Sequence, residues 1–239
     1  MKIDVYFTPL GSREGELAGR SVVVIDVLRA TTTIVAAIAS GAKAVVPAAS
    51  SEEAVRMSAN LERDGFLLAG ERRSVRIEGF ALGNSPGEMT PEVVAGRTVF
   101  LTTTNGTPAL LAAHGGDPVL VGAAVNFSAL AARARERFLE HGDLAILCAG
   151  RERQFALEDA YAAGRLIKAV RRSRRRVALN DAALVALLVA EEYPTWSAAL
   201  ADSAAARQLS ELDLRDDVAF AATEDRFAVV PVFADRRIT

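Results

Sequence analysis

Short β-branched runs alternate with helical stretches along the chain. Residues 21–27, SVVVIDV, set four apolar side chains ahead of one aspartate and predict a buried strand. The hydroxyl-rich LRATTT leads into a helix over 34–41 that closes at Gly41. A short strand over 43–47 follows, then a helix over 50–61 opened by Ser50 with Glu53 three residues on, the spacing of a capping box. Residues 66–69 predict another strand. The stretch 70–87 then holds four glycines and Pro86 without an apolar period, and a loop that long in a compact domain usually serves function. The rhythm resumes with strands over 98–101, 119–121 and 144–147 and helices over 108–113, 127–140 and 157–172. Two further helical stretches cover 181–192 and 196–212, and 227–233 reads as a closing strand. Strands alternating with helices predict an α/β protein whose sheet has a substantial parallel component. With no Gly/Ser/Pro-rich linker and no repeat, one unit over 1–239 is expected, with any subdivision falling near 175.

Composition narrows the functional classes. The chain of 239 residues is 51% hydrophobic but only 6% aromatic, which suits a packed globular protein. Its 28 Lys and Arg against 30 Asp and Glu leave a net charge of −2, which argues against a generally basic nucleic-acid binder. The run RRSRRR at 171–176 ends a predicted helix, where cations complement the dipole, and no aromatic side chain interleaves it for base stacking. No nucleic-acid partner is therefore expected; an RNA-associated role through this run is the weakest reading. The single Cys148 excludes an intramolecular disulfide framework and a Cys-based zinc site. His114 and His141 are too few for a His-rich metal cluster. No apolar run reaches membrane-spanning length and the first residues lack a secretory signal, so no membrane partner and a cytoplasmic location are expected. The Ala-rich helices are compatible with a homodimer.

Five predicted strands end in residues richer in chemistry than a connection requires. They run into Asp26 and Arg29, into Gly70-Glu71-Arg72, into TTTNGT at 102–107, into Asn126, and into CAGRER at 148–153. Ligands of open α/β sheets bind beyond the carboxyl ends of strands. Hydroxyls and free N–H groups at helix starts suit a phosphate or sulfonate, and carboxylates among them suit a hard cation such as Mg2+. Each element also has a plainer reading. The threonines at 31–33 suit a helix cap, TTTNGT a strand-end turn, and Glu158 a first-turn acid. Glu71 and Asp159 divide evenly between ion pairing and site chemistry, while Asp26 directly after Val-Val-Val-Ile must find a partner if buried. Four phosphate chemistries fall away by spacing. The P-loop consensus is absent, Cys148 has Gln154 where a cysteine phosphatase needs arginine, Leu28 stands where the second haloacid-dehalogenase aspartate belongs, and neither histidine sits in an Arg-His-Gly element.

VVVIDVLRATTTIVAAIASGA at 22–42, LLAGERRSVRIEGFALGNSPGE at 67–88, TTTNGTPAL at 102–110, GAAVN at 122–126, CAG at 148–150 and FALEDAYAAG at 155–164 together resemble the 2-phosphosulfolactate phosphatase family. A weaker match is DLRDDVAFAATEDRFAVVPVF at 213–233. The resemblance implies a three-layer α/β/α sandwich with a mixed, largely parallel sheet. It implies Mg2+-dependent hydrolysis of the phosphate ester of (2R)-2-phospho-3-sulfolactate, a small anionic phosphomonoester, in a reaction of the coenzyme M biosynthetic type. On that basis Asp26 and Glu71 are expected to hold or orient the metal, with Glu158 or Asp159 as a further acid. Arg29 would offset phosphoryl charge and Asn126 would orient a water or hydroxyl. Thr31 and Thr32, with Thr102, Thr103, Thr104, Asn105 and Gly106, would cradle one anionic group, and Asn84 and Ser85 another. Two segments depart from the family pattern: Ser203-Ala-Ala-Ala206, where relatives commonly show a Ser-x-His-Gly-like element, and the bulky Arg151-Glu-Arg-Gln154. The first keeps open an alternative, a non-catalytic binder of a phosphate- or sulfonate-bearing metabolite.

Overall fold

The computed structural model describes residues 1–13, 15–171 and 176–239. Most of the arginine run, and the position near 175 where a subdivision would fall, lie outside the described residues. In chain order the strands are β1 (Lys2–Tyr6), β2 (Val22–Ile25), β3 (Ala44–Pro47), β4 (Phe66–Arg72), β5 (Val75–Arg76), β6 (Thr98–Thr102), β7 (Val119–Gly122), β8 (Asp143–Cys148), β9 (Ala178–Leu179), β10 (Val232–Ala234) and β11 (Arg237–Ile238). The helices are α1 (Ala30–Ala39), α2 (Ser51–Ser58), α3 (Pro91–Val94), α4 (Gly106–Ala112), α5 (Phe127–His141), α6 (Leu157–Val170), α7 (Asp181–Glu192), α8 (Trp196–Ala201), α9 (Ala204–Glu211) and α10 (Arg215–Ala221).

Side-chain alternation along β2 sets the layers. Val23 and Ile25 pack with Phe138 of α5 and Leu166 and Ile167 of α6, while Val22 and Val24 face Ile34 of α1 and Leu110 of α4. In β8, Leu144, Ile146 and Cys148 join the first group and Ala145 and Leu147 the second. Helices therefore cover both faces, giving the α/β/α sandwich. The sheet order is β5-β4-β6-β3-β11-β10-β7-β2-β8-β1-β9. β4, β6 and β3 are mutually parallel, as are β7, β2, β8, β1 and β9. The antiparallel β10–β11 hairpin joins these two parallel blocks by pairing with β7 on one side and β3 on the other. The sheet is thus mixed and largely parallel, as expected, and the three antiparallel pairings in a row leave the two parallel blocks running in opposite directions.

The short elements β5, β9, β11, α3 and α10 were not anticipated, and four further details differ from the sequence reading. β1 was not anticipated, because Lys2 and Asp4 interrupt its apolar residues. Asp4 is accommodated by Arg20, 2.8 Å away, which also bonds Asp143 at 2.6 Å. Helix α1 starts at Ala30, so the threonines at 31–33 lie inside it. The stretch 196–212 is two helices, because Ser203 turns out of α8 and its Oγ accepts from Ala206 N to open α9. Of 227–233, only Val232 and Phe233 fall in a strand. The preceding residues bond to β7 and the turn after it, with Val121 N donating to Pro231 O at 2.9 Å and Phe227 N to Val125 O at 2.8 Å.

Candidate active site

Asp26 directly follows β2, and its Oδ1 accepts from Ala30 N at 3.1 Å, closing the turn into α1. Thr31 Oγ1 clasps the same residue, accepting from Asp26 N at 2.9 Å and donating to Asp26 O at 2.8 Å. The Leu28–Arg29 peptide within this turn is cis. Arg29 lies buried, its Nη1 donating to Asp217 Oδ2 at 2.6 Å and its Nη2 to Ser74 O at 3.0 Å. β4 extends to Arg72 and folds back into β5 through Arg73 and Ser74, both at positive φ. Glu71, at the end of β4, accepts from Thr104 N at 2.6 Å, Ser74 N at 2.7 Å and Thr104 Oγ1 at 3.1 Å. It ties the hairpin to the loop that follows β6. In that loop Thr103 and Thr107 clasp one another, Thr107 N donating to Thr103 Oγ1 and Thr103 N to Thr107 Oγ1. Gly106 must lack a side chain, because a Cβ there would collide with Ala30 Cβ and lie 2.6 Å from Asp26 Oδ2.

These elements enclose a cleft of about 440 Å³, open to solvent, lined by Asp26, Leu28, Arg29, Glu71, Arg73, Ser74, Asn84, Thr103, Thr104, Asn105, Arg151, Glu152 and Gln208. Three arginines face it, from the turn after β2, the β4–β5 turn and the turn after β8. A second cavity, sharing Arg151 and Glu152, is lined also by Glu158, Ala204 and Arg207.

The carboxylates here are electrostatically crowded. Burial pushes Asp26 up to about 7; the hydrogen bond from Ala30 opposes this, the charges of Glu158 and Glu71 add to it, and Arg29 draws it down. Burial, then the charges of Glu158 and Asp26, hold Asp159 well above the usual carboxylate range. Glu158 is raised by burial, against the pull of Arg151 and Ser203.

Not every expected site residue faces the cleft. Asn126 is fully buried, its Oδ1 accepting from Ala123 N and its Nδ2 donating to Val121 O and Val229 O. With its amide engaged by backbone, it clips the turn after β7 to the C-terminal strand approach and orients no substrate. Asp159 is a brace as well, accepting from Val27 N at 2.9 Å and Gly150 N at 3.1 Å. Thr31 and Thr32 are fully buried with their hydroxyls on Asp26 O and Val27 O, so they stiffen the turn and form no anion cradle. Thr102 is likewise buried, its Oγ1 accepting from Arg72. Ser85 donates to Asp217 at 2.6 Å and lies beside Arg29. Glu158 lines the second cavity. Asp26, Arg29, Glu71, Asn84, Thr103, Thr104 and Asn105 are brought together, with Gly106 directly behind them. Sequence reasoning did not single out Arg73, Ser74, Gln208 or Asp217; it placed Arg151 and Glu152 at a chemistry-bearing strand end and marked them as a bulky departure from the family pattern, without giving either a role. The left-handed turns at 73–74 and 152–153 carry no glycine or asparagine to announce them.

A divalent cation fits this donor set. Asp26 Oδ2 accepts no hydrogen bond among the described residues, and Asn84 Oδ1 is buried without a partner. Both are hard oxygens on one cleft, and a cation would relieve the mutual repulsion of Asp26 and Glu158. Among the described residues no three His, Cys, Asp or Glu side chains form a metal cage. Glu71, with both oxygens on Thr104 and Ser74, contributes framework here.

Comparison with known proteins gives the site its context. A probable 2-phosphosulfolactate phosphatase of Symbiobacterium thermophilum is 42% identical, the alignment covering 93% of this chain and 95% of the relative. Relatives of the same description in Caldanaerobacter subterraneus subsp. tengcongensis and Thermotoga petrophila are 38% and 36% identical. The first aligns over 97% of this chain and 95% of its own, the second over 98% and 96%. The profile of the 2-phosphosulpholactate phosphatase family matches residues 6–236, from the end of β1 to the β10–β11 turn. That span takes in every strand end and turn lining the cleft, and the chain belongs to this family of phosphoric monoester hydrolases.

Proposed function

We propose that the protein is a Mg2+-dependent phosphatase that converts (2R)-2-phospho-3-sulfolactate to (2R)-3-sulfolactate and inorganic phosphate, a reaction of the coenzyme M biosynthetic type. The observation that carries this reading is Asp26, a buried carboxylate with one unpartnered oxygen, on a cleft that also holds Arg29, Arg73 and Arg151. A substrate bearing phosphate, sulfonate and carboxylate groups needs several cationic partners, and three arginines from three separate turns supply them. The N–H groups of Thr103 and Thr104 are taken by Thr107 and Glu71. Those of Asn105 and Gly106 find no partner among the described residues and open α4, where an anion is favoured.

Asp26 presents Oδ2 to the reacting centre, held by Ala30 N and Thr31, while Asn84 adds a neutral oxygen beside it. Asp26 and Asn84 would hold Mg2+, which when bound neutralises charge on the phosphoryl oxygens. Arg29, on the same cleft, stabilises the same developing charge, which is where phosphoryl transfer gains most.

The test is phosphate release by purified protein from 2-phosphosulfolactate and a panel of phosphorylated hydroxy acids, with Mg2+ and with EDTA. The reading expects release from the sulfonate ester that EDTA abolishes. Release only from another panel member refutes the substrate. Ligand-induced thermal stabilisation without any release would instead make the protein a binder.

A further inference from the structure

We propose that Asp217, on α10 near the C terminus, is a positioning residue for the cleft: it holds the Arg29 guanidinium in its working orientation and makes the anion-binding wall depend on docking of the C-terminal segment. The proposal rests on the phosphatase reading of the cleft for Arg29's role, but its contacts stand independently. Asp217 Oδ2 accepts from Arg29 Nη1 at 2.6 Å and from Ser85 Oγ at 2.6 Å. Arg29 Nη2 donates to Ser74 O at 3.0 Å. One carboxylate oxygen thus gathers the turn after β2 and the loop after β5, and Arg29 adds the β4–β5 turn. Arg29 and Asp217 are only 4% and 6% exposed, so neither charge has water as a substitute partner.

The fold fixes this carboxylate in register. Phe220, three residues on and therefore on the same face of α10, packs beside Val35 of α1 and against Phe227 at 6.3 Å between ring centroids. Ala221 is fully buried against the opposite core. α10 cannot rotate without exposing these groups. An arginine has five donors in a planar fork. The bonds to Asp217, Ser85 and Ser74 leave Nε–H and one Nη2–H without partners among the described residues, so Asp217 determines how the remaining edge of the fork meets a ligand.

The experiment is a double-mutant cycle on Arg29→Gln and Asp217→Asn, read by kcat/KM for phosphate release and by calorimetric titration with inorganic phosphate. Urea midpoints are recorded for each protein. Misplacing a charge-bearing group by about 1 Å costs on the order of 10²-fold in rate. Asp217→Asn should therefore lower kcat/KM by about 10- to 100-fold and weaken phosphate binding in the wild-type background. In the Arg29→Gln background its effect should shrink to about twofold or less, because the residue it positions is gone. Independent effects that multiply, or wild-type phosphate affinity and kcat/KM in Asp217→Asn, overturn the proposal. If Asp217→Asn alone does not fold, Ser85→Ala loosens the same oxygen and enters the cycle in its place, with the same two outcomes deciding. A wild-type protein that releases no phosphate but shows the coupling in phosphate binding refutes the catalytic reading and leaves the positioning role standing. Release without coupling does the reverse.

Discussion

Replacing Asp26 by Asn should stabilise the metal-free protein at alkaline pH while abolishing its activity. Asn keeps the acceptor for Ala30 N and the volume of the side chain, so the turn into α1 survives. What it removes is a buried charge whose pKa rises from 3.8 to about 7, chiefly through burial. An acid whose folded pKa is raised contributes full stability below its unfolded pKa and loses it as pH rises through the folded value. The loss therefore accumulates between about pH 4 and pH 7. Three units at ~1.36 kcal/mol each give a ceiling of about 4 kcal/mol, of which roughly 3 kcal/mol falls between pH 5 and pH 8. Glu158 and Asp159 are raised as well, by burial and neighbouring charge, and their interaction with Asp26 moves the observed value below that ceiling. Urea unfolding of wild type and Asp26→Asn in EDTA at both pH values reads the difference directly. The variant should gain on wild type as pH rises, and excess Mg2+ should stabilise wild type but not the variant. Parallel pH profiles for the two proteins would refute a buried, charge-stressed Asp26, and wild-type turnover in the variant would refute its place at the reacting centre.

Three further perturbations separate framework from chemistry. Asn126→Ala removes a fully buried amide bonded to three backbone groups and should cost about 2–4 kcal/mol in urea unfolding. The folded fraction should keep kcat within about twofold, whereas a kcat loss near 100-fold would return Asn126 to the reacting centre. Gly106→Ala drives a methyl into Ala30 Cβ and to 2.6 Å from Asp26 Oδ2, so phosphate release should fall by at least about tenfold through displacement of the Asp26 turn; unchanged turnover would mean that the geometry of this turn is not used. Gly164→Ala drives a methyl into the Ala186 carbonyl where α6 meets α7, far from the cleft. It should lower the denaturation midpoint by the equivalent of about 1–3 kcal/mol, and an unchanged midpoint would show that the two helices can move apart freely.

Local pattern carried most of the fold and only part of the site. The buried strands around Val22–Ile25 and Asp143–Cys148 were legible because their apolar runs are nearly continuous, as parallel strands covered on both faces require. β1 was not, since its Lys2 and Asp4 look like a surface segment until Arg20 and Asp143 arrive from elsewhere in the chain. At the site, Asp26, Arg29, Glu71 and the 103–105 loop stand out because polar residues directly follow apolar strands. Asn126 satisfies the same criterion and is a structural clip, because its partners Val121 and Val229 lie five residues before it and 103 after it. Asp217 shows the converse. Its neighbours in sequence mark only the first turn of a short helix, and its meaning comes from an arginine 188 positions away.

A buried carboxylate in this fold is therefore informative by which of its oxygens remain open. Glu71 and Asp159 have both oxygens on N–H or O–H donors from neighbouring turns. Asp217 takes an arginine and a serine on one. Each joins segments that the chain alone leaves apart, and each lowers the cost of burying its charge by doing so. Asp26 uses one oxygen for its own turn and leaves the other facing the cleft, under pressure from burial and from Glu158. The braces hold the strand ends in place, and the open oxygen of Asp26 faces the cleft between them. Removing Glu71 or Asp217 should loosen the site's geometry and its stability together, whereas removing Asp26 should improve stability and end turnover. Opposite signs for the two classes of carboxylate, in one set of urea and rate measurements, are the expected result, and equal signs would dissolve the distinction.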